Sequence, residues 1–168
     1  MKVLFVVPEI RLDSHPTNIP FWAGIFASIV EQKGGEVAIL DLNALRMNYD
    51  KQFVPDELIR KEVASEKWDL IGIGGLTSTY GRIKYLCRLI RRESSDSIFI
   101  GGGGWSSYNP TEILELVPEL NMICIGEGEE TFSELYDEIS SGGTNFEKIN
   151  GLCLRDGKSF TFTQPRAL

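Results

Sequence analysis

Ser97–Pro110 reads S-I-F-I-G-G-G-G-W-S-S-Y-N-P, a short β-branched and aromatic run that ends in four glycines, then a Trp, two serines, a Tyr and an Asn. Such a run is a strand, and consecutive glycines that lose the most entropy on ordering are tolerated where the chain turns with φ > 0 or lets another group approach closely. A permissive turn alone is the simpler reading. The neighbouring segments decide between the two.

Working outward, three further runs resemble Ser97–Ile100. Lys2–Val7 (K-V-L-F-V-V) and Trp68–Gly74 (W-D-L-I-G-I-G) are almost wholly apolar, as strands buried on both faces are. Asn121–Ile125 is a third, and Glu36–Leu40 (E-V-A-I-L) completes a set of five. Between them lie helical patterns. Phe21–Lys33 has Ile25, Phe26, Ile29 and Val30 at helical spacing and stops at Gly34-Gly35. Asp56–Ser65 follows Pro55, Tyr80–Arg92 buries Ile83, Leu86, Leu89 and Ile90, Pro110–Val117 is short, and Thr131–Ser140 closes at Gly142-Gly143. Arg82, Lys84, Arg88 and Arg91 read as a solvated basic face, and Asp41–Phe53 as irregular and polar.

Strands alternating with helices imply an α/β fold. The expected form is a flavodoxin-like (Rossmann-like) five-stranded parallel sheet, order 2-1-3-4-5, with helices on both faces. Ile149–Leu154 and Ser159–Thr163 flank R-D-G-K, which predicts a C-terminal β-hairpin with Asp156-Gly157 at its tip. Gln164–Leu168 shows no structural closure, so a continuation beyond the hairpin is expected. The organisation expected is a ligand domain over 1–143 and a hairpin and linker over 144–168.

Composition excludes several classes. The 168 residues carry a formal charge of -7 and one His, so neither nucleic acid nor an anionic membrane is an expected partner. Cys87, Cys124 and Cys153 are odd in number and far apart, with no CxxC or HxxxH pairing, which fits buried thiols in a reducing cytoplasm. The run in Met1–Pro8 is too short for a signal peptide, and Phe21–Val30 is about half of a bilayer span. A soluble, cytoplasmic protein is expected.

The unusual loops all follow strands: Pro8–Pro20, Gly74–Thr79, Gly101–Pro110 and Gly126–Glu130. In the expected fold they share one edge, where ligands of open α/β sheets bind. The glycine run lacks the Gly-Lys-Ser/Thr ending of a phosphate loop, and no dinucleotide fingerprint follows the first strand. Three glycine clusters with hydroxyls at Thr77, Ser78, Thr79, Ser106 and Ser107 suit a broad or deeply inserted ligand instead.

A strand ending in Gly-Gly, then Ser and Asn-Pro, then a strand ending in Gly-Glu-Gly-Glu resembles the N-terminal cobalamin (B12)-binding domain of B12-dependent radical SAM enzymes. W-D-L-I-G-I-G-G-L-T-S resembles its third strand and loop, Pro20–Gly35 its first helix, Asp41 its acidic residue after strand 2, and I-N-G-L-C-L-R-D-G its hairpin toward the catalytic barrel. The resemblance covers essentially the whole chain. It implies that the dimethylbenzimidazole tail of cobalamin is buried between Gly101, Gly102, Gly103, Gly104, Ser106 and Tyr108 on one wall and Gly75, Thr77, Ser78 and Thr79 on the other, with Gly126, Glu127 and Gly128 beside them. Glycines give the tail room and hydroxyls can bond its phosphate and ribose.

The resemblance also offers His15 as lower cobalt ligand, with Asp13 orienting it. Asn18 stands where that pattern has Gly, and His15 is several residues too far from Gly34, so an ordinary loop His is the preferred reading. Glu129 and Glu130 suit a first helical turn better than acid–base chemistry. Trp105 is either pocket wall or core, and Cys87 and Cys124 are packing residues.

The implied parent is a methyltransferase acting on unactivated carbon, or a cyclase, whose radical SAM domain holds a 4Fe-4S cluster and S-adenosylmethionine and takes a small-molecule substrate. Its Cys-x-x-x-Cys-x-x-Cys segment is absent from these 168 residues. The chain alone is then a binding module. The alternative is a receiver-like interaction domain, or a flavin or nucleotide carrier, with the same winding; Gly74-Gly75 where a receiver has Asp argues against phosphotransfer.

Overall fold

The computed structural model describes residues 1–10, 12, 15–16, 19–50 and 53–166. Its strands are β1 (Lys2–Val7), β2 (Glu36–Asp41), β3 (Leu70–Gly74), β4 (Ile98–Gly102), β5 (Met122–Cys124), β6 (Leu152–Asp156) and β7 (Ser159–Phe162). Its helices are α1 (Phe21–Gln32), α2 (Leu42–Leu45), α3 (Asp56–Ala64), α4 (Tyr80–Glu93), α5 (Pro110–Leu116) and α6 (Glu129–Ser140). The five apolar runs pair in parallel in the expected order, β2-β1-β3-β4-β5.

The expected five-stranded sheet is, however, a seven-stranded one. β6 pairs antiparallel with β5, and β7 with β6, giving the order β2-β1-β3-β4-β5-β6-β7. The reason lies in the outer edge of β5, which would otherwise leave a row of N–H and C=O groups unpaired. Leu152, Cys153 and Leu154 cover that edge and are themselves buried, so β6 is part of the core, while β7 is largely exposed. Its two-residue turn is Gly157-Lys158, one position later than expected, because Asp156 pairs with Ser159 and Gly157 takes φ +58°.

The strands alternate side chains between two faces. Leu4, Val6, Ile71, Ile73, Phe99 and Ile123 pack under α3, α4 and α5. Val3, Phe5, Leu70, Ile100, Met122 and Cys124 pack under α1 and α6. α1 turns Ala23, Ala27 and Val30 inward and leaves Ile25 44% exposed, a rotation away from the expected apolar face.

Three expectations about polar segments are corrected. Residues after β2 are not irregular: Asp41 Oδ1 accepts from Ala44 N at 3.0 Å, starting α2, and a 3-10 turn at Arg46–Tyr49 follows. The basic face of α4 is not wholly solvated, because Arg82 forks onto the buried Glu9 carboxylate (2.8 and 2.7 Å) and Arg91 donates to Glu119 O, Ser97 O and Asn121 Oδ1. The chain beyond β7 is tied back to α6: Gln164 O accepts from Gly151 N, and Arg166 reaches Thr131 Oγ1 and the carboxylates of Glu130 and Glu134.

Candidate functional site

Period-two alternation in β3 sends Ile71 and Ile73 to one face and Gly72 and Gly74 to the other. β4 continues the pattern, since Gly74 pairs with Gly102. The face under α1 and α6 is therefore stripped of side chains at the carboxyl ends of its central strands. A cleft of about 480 Å³ opens there, within the size range of small-molecule sites. Gly75, Gly101–Gly104 and Gly126–Gly128 rim it, Cys124 and Ile100 lie on the sheet side, and Trp22, Phe26 and Phe132 wall it from the helices.

The glycines divide into two groups. A Cβ on Gly72 would meet the Phe5 ring at 2.9 Å, on Gly74 the Trp22 indole at 2.9 Å, on Gly101 the Trp105 ring at 3.0 Å and on Gly128 the Phe26 ring at 2.9 Å. Packing explains these. Gly103 and Gly126 hold φ of +94° and +74°, which explains them too. Gly102 and Gly104 have neither cause: a Cβ on Gly102 would stand 3.7 Å from Cys124 Cβ, and one on Gly104 would touch nothing within 4 Å.

The hydroxyls expected around the slot are placed differently. Thr79 Oγ1 donates to Leu76 O at 2.7 Å and Ser106 Oγ to Gly103 O at 3.3 Å, so both buried side chains hold their own loops. Thr77, exposed, donates to Gly104 O at 3.1 Å and links the loops after β3 and β4. Ser78 is exposed, and Tyr108 is 89% exposed beside a second, neighbouring cavity that shares Gly126, Glu127 and Glu129 with the cleft. Glu129 and Glu130 occupy the first turn of α6, as expected. Trp105 is core: it is buried under the other face, and its Nε1 donates to Gly102 O at 2.8 Å.

His15 is exposed, and Asp13 and Asn18 lie outside the described residues. The start of the loop after β1 is held by a buried clamp. Asn43 Oδ1 accepts from Ile10 N (3.0 Å) and Arg46 Nε (3.1 Å), while the Arg46 guanidinium donates to Ile10 O and Leu12 O, each at 3.3 Å. Burial pushes the Cys124 thiol up to about 11, opposed by its hydrogen bond from Thr131 and by Arg166. Cys87, inside α4, is pushed up further by burial. Neither is a thiolate at neutral pH, so Cys124 serves the cleft as an apolar surface. Among the described residues no group of three or more His, Cys, Asp or Glu side chains can hold a metal.

The aromatic wall is what the sequence reading missed. Trp22 and Phe26 stand four residues apart and share one side of α1, but their meeting with Phe5 and Phe132 needs the packing of α1, β1 and α6.

Residues 6–136 match the B12 binding domain family. The chain belongs to that family. The match runs from Val6 in β1 to Tyr136 in α6, so it takes in every residue that lines the cleft except Phe5 and leaves the β6–β7 hairpin outside. Cytidylyl-2-hydroxyethylphosphonate methyltransferase of Streptomyces wedmorensis is 29% identical over 169 residues, covering 92% of this chain and 31% of that protein. Anaerobic magnesium-protoporphyrin IX monomethyl ester cyclase of Synechocystis sp. is 28% identical over 96 residues, covering 57% of this chain and 19% of that protein. The solved structure of the radical S-adenosylmethionine methyltransferase TsrM from Kitasatospora setae, with cobalamin and a 4Fe-4S cluster bound, shares the fold at a TM-score of 0.82, with 24% identity over 99% of this chain and 29% of that one. This B12-binding domain thus spans less than a third of each of these relatives.

Proposed function

We propose that the chain binds cobalamin by burying its nucleotide tail in the cleft under α1 and α6, and serves as the cobalamin-carrying module of a larger radical SAM enzyme. The observation that carries the reading is the bare rim at Gly102 and Gly104, where neither packing nor backbone conformation calls for glycine. A side chain on Gly102 would stand beside Cys124 in the apolar cleft, and one on Gly104 would meet no protein atom. A tail threaded past these positions needs that space.

When bound, cobalamin supplies a cobalt centre able to carry a methyl group or an electron. The chain's own part is to hold it. The glycines rim the tail slot, the exposed hydroxyls of Thr77 and Ser78 stand outside the lining of the cleft on the loop that carries Gly75 and Leu76, and the Asn43–Arg46 clamp fixes the loop after β1 beside the cleft. His15 acts as an ordinary loop residue. Residues 1–143 form the binding unit, and 144–168 lead toward the catalytic domain.

One of the similar proteins is a methyltransferase and another a protoporphyrin ester cyclase, which supports methyl transfer or cyclase chemistry in the parent. A 4Fe-4S cluster, S-adenosylmethionine and the substrate then belong to the partner domain, since this chain has no three-cysteine segment. The three free, buried cysteines agree with a reducing cytoplasm, and among the described residues no helix is long and apolar enough to cross a membrane.

The test is a spectrum of the 168-residue chain titrated with hydroxocobalamin. Saturable binding with a base-off band is expected; no binding at high micromolar cofactor sinks the reading. Gly102→Leu should weaken binding at least tenfold by filling the slot mouth, and an unchanged affinity moves the tail elsewhere. His15→Ala should leave the spectrum unaltered.

A further inference from the structure

The walls of the cleft carry more information than its size. Phe26 and Phe132 stack with ring centroids 4.9 Å apart and planes within 13°. Phe5 lies 5.4 Å from Phe132 and 5.9 Å from both Phe26 and Trp22, with the Trp22 plane at 84° to it. The opposite wall is glycine backbone, Ile100 and Cys124.

Several acceptors of that wall already have partners within the fold. Gly102 O accepts from Trp105 Nε1, Gly103 O from the amides of Ser106 and Ser107, and Gly104 O from Thr77 Oγ1. Asn43 Oδ1 is taken by Ile10 N and Arg46 Nε. The carboxylates of Glu127, in the loop after β5, and Glu129, at the start of α6, stand at the mouth that is shared with the second cavity. A base inserted past that mouth meets rings and aliphatic surface. Dimethylbenzimidazole is flat and apolar along its outer edge, whereas adenine carries an amino group and ring nitrogens there. Such groups lose their water on insertion and need partners in return.

We propose that this cleft selects corrinoids by their tail base, taking a flat apolar base and rejecting a purine, with Trp22 and the Phe26–Phe132 pair as the specificity-determining residues. The inference rests on the cobalamin reading above and adds to it the chemical class of base.

The experiment compares three ligands on the 168-residue chain by equilibrium titration: cobalamin, its analogue with adenine as the tail base, and cobinamide, which has no base. All are used in the dicyano form, which frees the base from cobalt in the two that carry one. Cobalamin is expected to bind at least tenfold more tightly than the adenine analogue, which should be no better than cobinamide within about threefold. Equal affinity for the two tailed forms, both tighter than cobinamide, overturns the selectivity and leaves the tail slot standing. Equal affinity for all three overturns tail burial and selectivity together. If none binds, the cobalamin reading itself falls. Trp22→Gln, which presents an amide to the slot, should bring the cobalamin-to-adenine ratio to about threefold or less. An unchanged ratio in a variant that still binds cobalamin removes Trp22 from this role.

Discussion

The two faces of the sheet are made from the same strands and behave oppositely. Under α3, α4 and α5, β3 presents Ile71 and Ile73, β1 presents Leu4 and Val6, and β4 presents Phe99, all buried. Under α1 and α6 the same β3 presents Gly72 and Gly74, and the space is met by aromatic rings and an open cleft. Close packing fixes one geometry and leaves no room for a ligand. The division teaches that this fold packs both faces of the sheet but opens its site on only one, at the carboxyl ends of the central strands, with the period of two in β3 as the device that sends Gly72 and Gly74 there.

That contrast sets the expected size of each substitution. Phe99→Ala, in the packed face, should cost about 3–5 kcal/mol by removing a buried ring, read as a fall in the urea midpoint at unchanged slope. A cost below 1 kcal/mol would mean that the packed face does not carry the stability assigned to it. Gly74→Ala comes next, at about 1–3 kcal/mol, because the new methyl group would press on the Trp22 indole. Gly104→Ala should fall within about 0.5 kcal/mol of the parent, since nothing lies near the added Cβ. Similar losses for the two glycine variants would erase the distinction drawn between packing glycines and ligand glycines.

The smallest effect concerns the connection from α6 to β6. The hydrogen bond from Lys148, joined by the Asn145 amide, holds the Glu138 carboxyl below its usual value. A lowered carboxyl contributes stability that is complete above the unfolded-state value, about 4.3, and is lost as pH falls through the folded one. Glu138→Gln should therefore shift the urea midpoint modestly at neutral pH and converge with the parent in acid. A gap that widens in acid would reverse the sign.

Much of this is legible in the amino-acid sequence. The five parallel strands announced themselves as apolar β-branched runs, and the glycine loops as a common edge. The short helix after β2 was not, because N-A-L-R-M-N-Y has no apolar stripe and is held by a clamp to Ile10 and Leu12, more than thirty residues away. Arg82 and Arg91 looked solvated for the same reason, since Glu9 and Glu119 reach them only in the folded chain. In the site, the hydroxyls of Thr79 and Ser106 looked like ligand contacts, yet each bonds a carbonyl three residues back in its own loop.

By itself the amino-acid order determined the strand set, the covered parallel sheet and the glycine-rich edge, because hydrophobic period and backbone permissiveness are local properties of a segment. Only the tertiary structure decided which glycines are bare for packing and which are bare for a ligand. It also decided that Trp22, Phe5, Phe26 and Phe132 form one wall, and that β6 completes the sheet. The physical reason is that each of those outcomes depends on a neighbour distant in the chain, and a glycine carries no mark of what will come to lie against it.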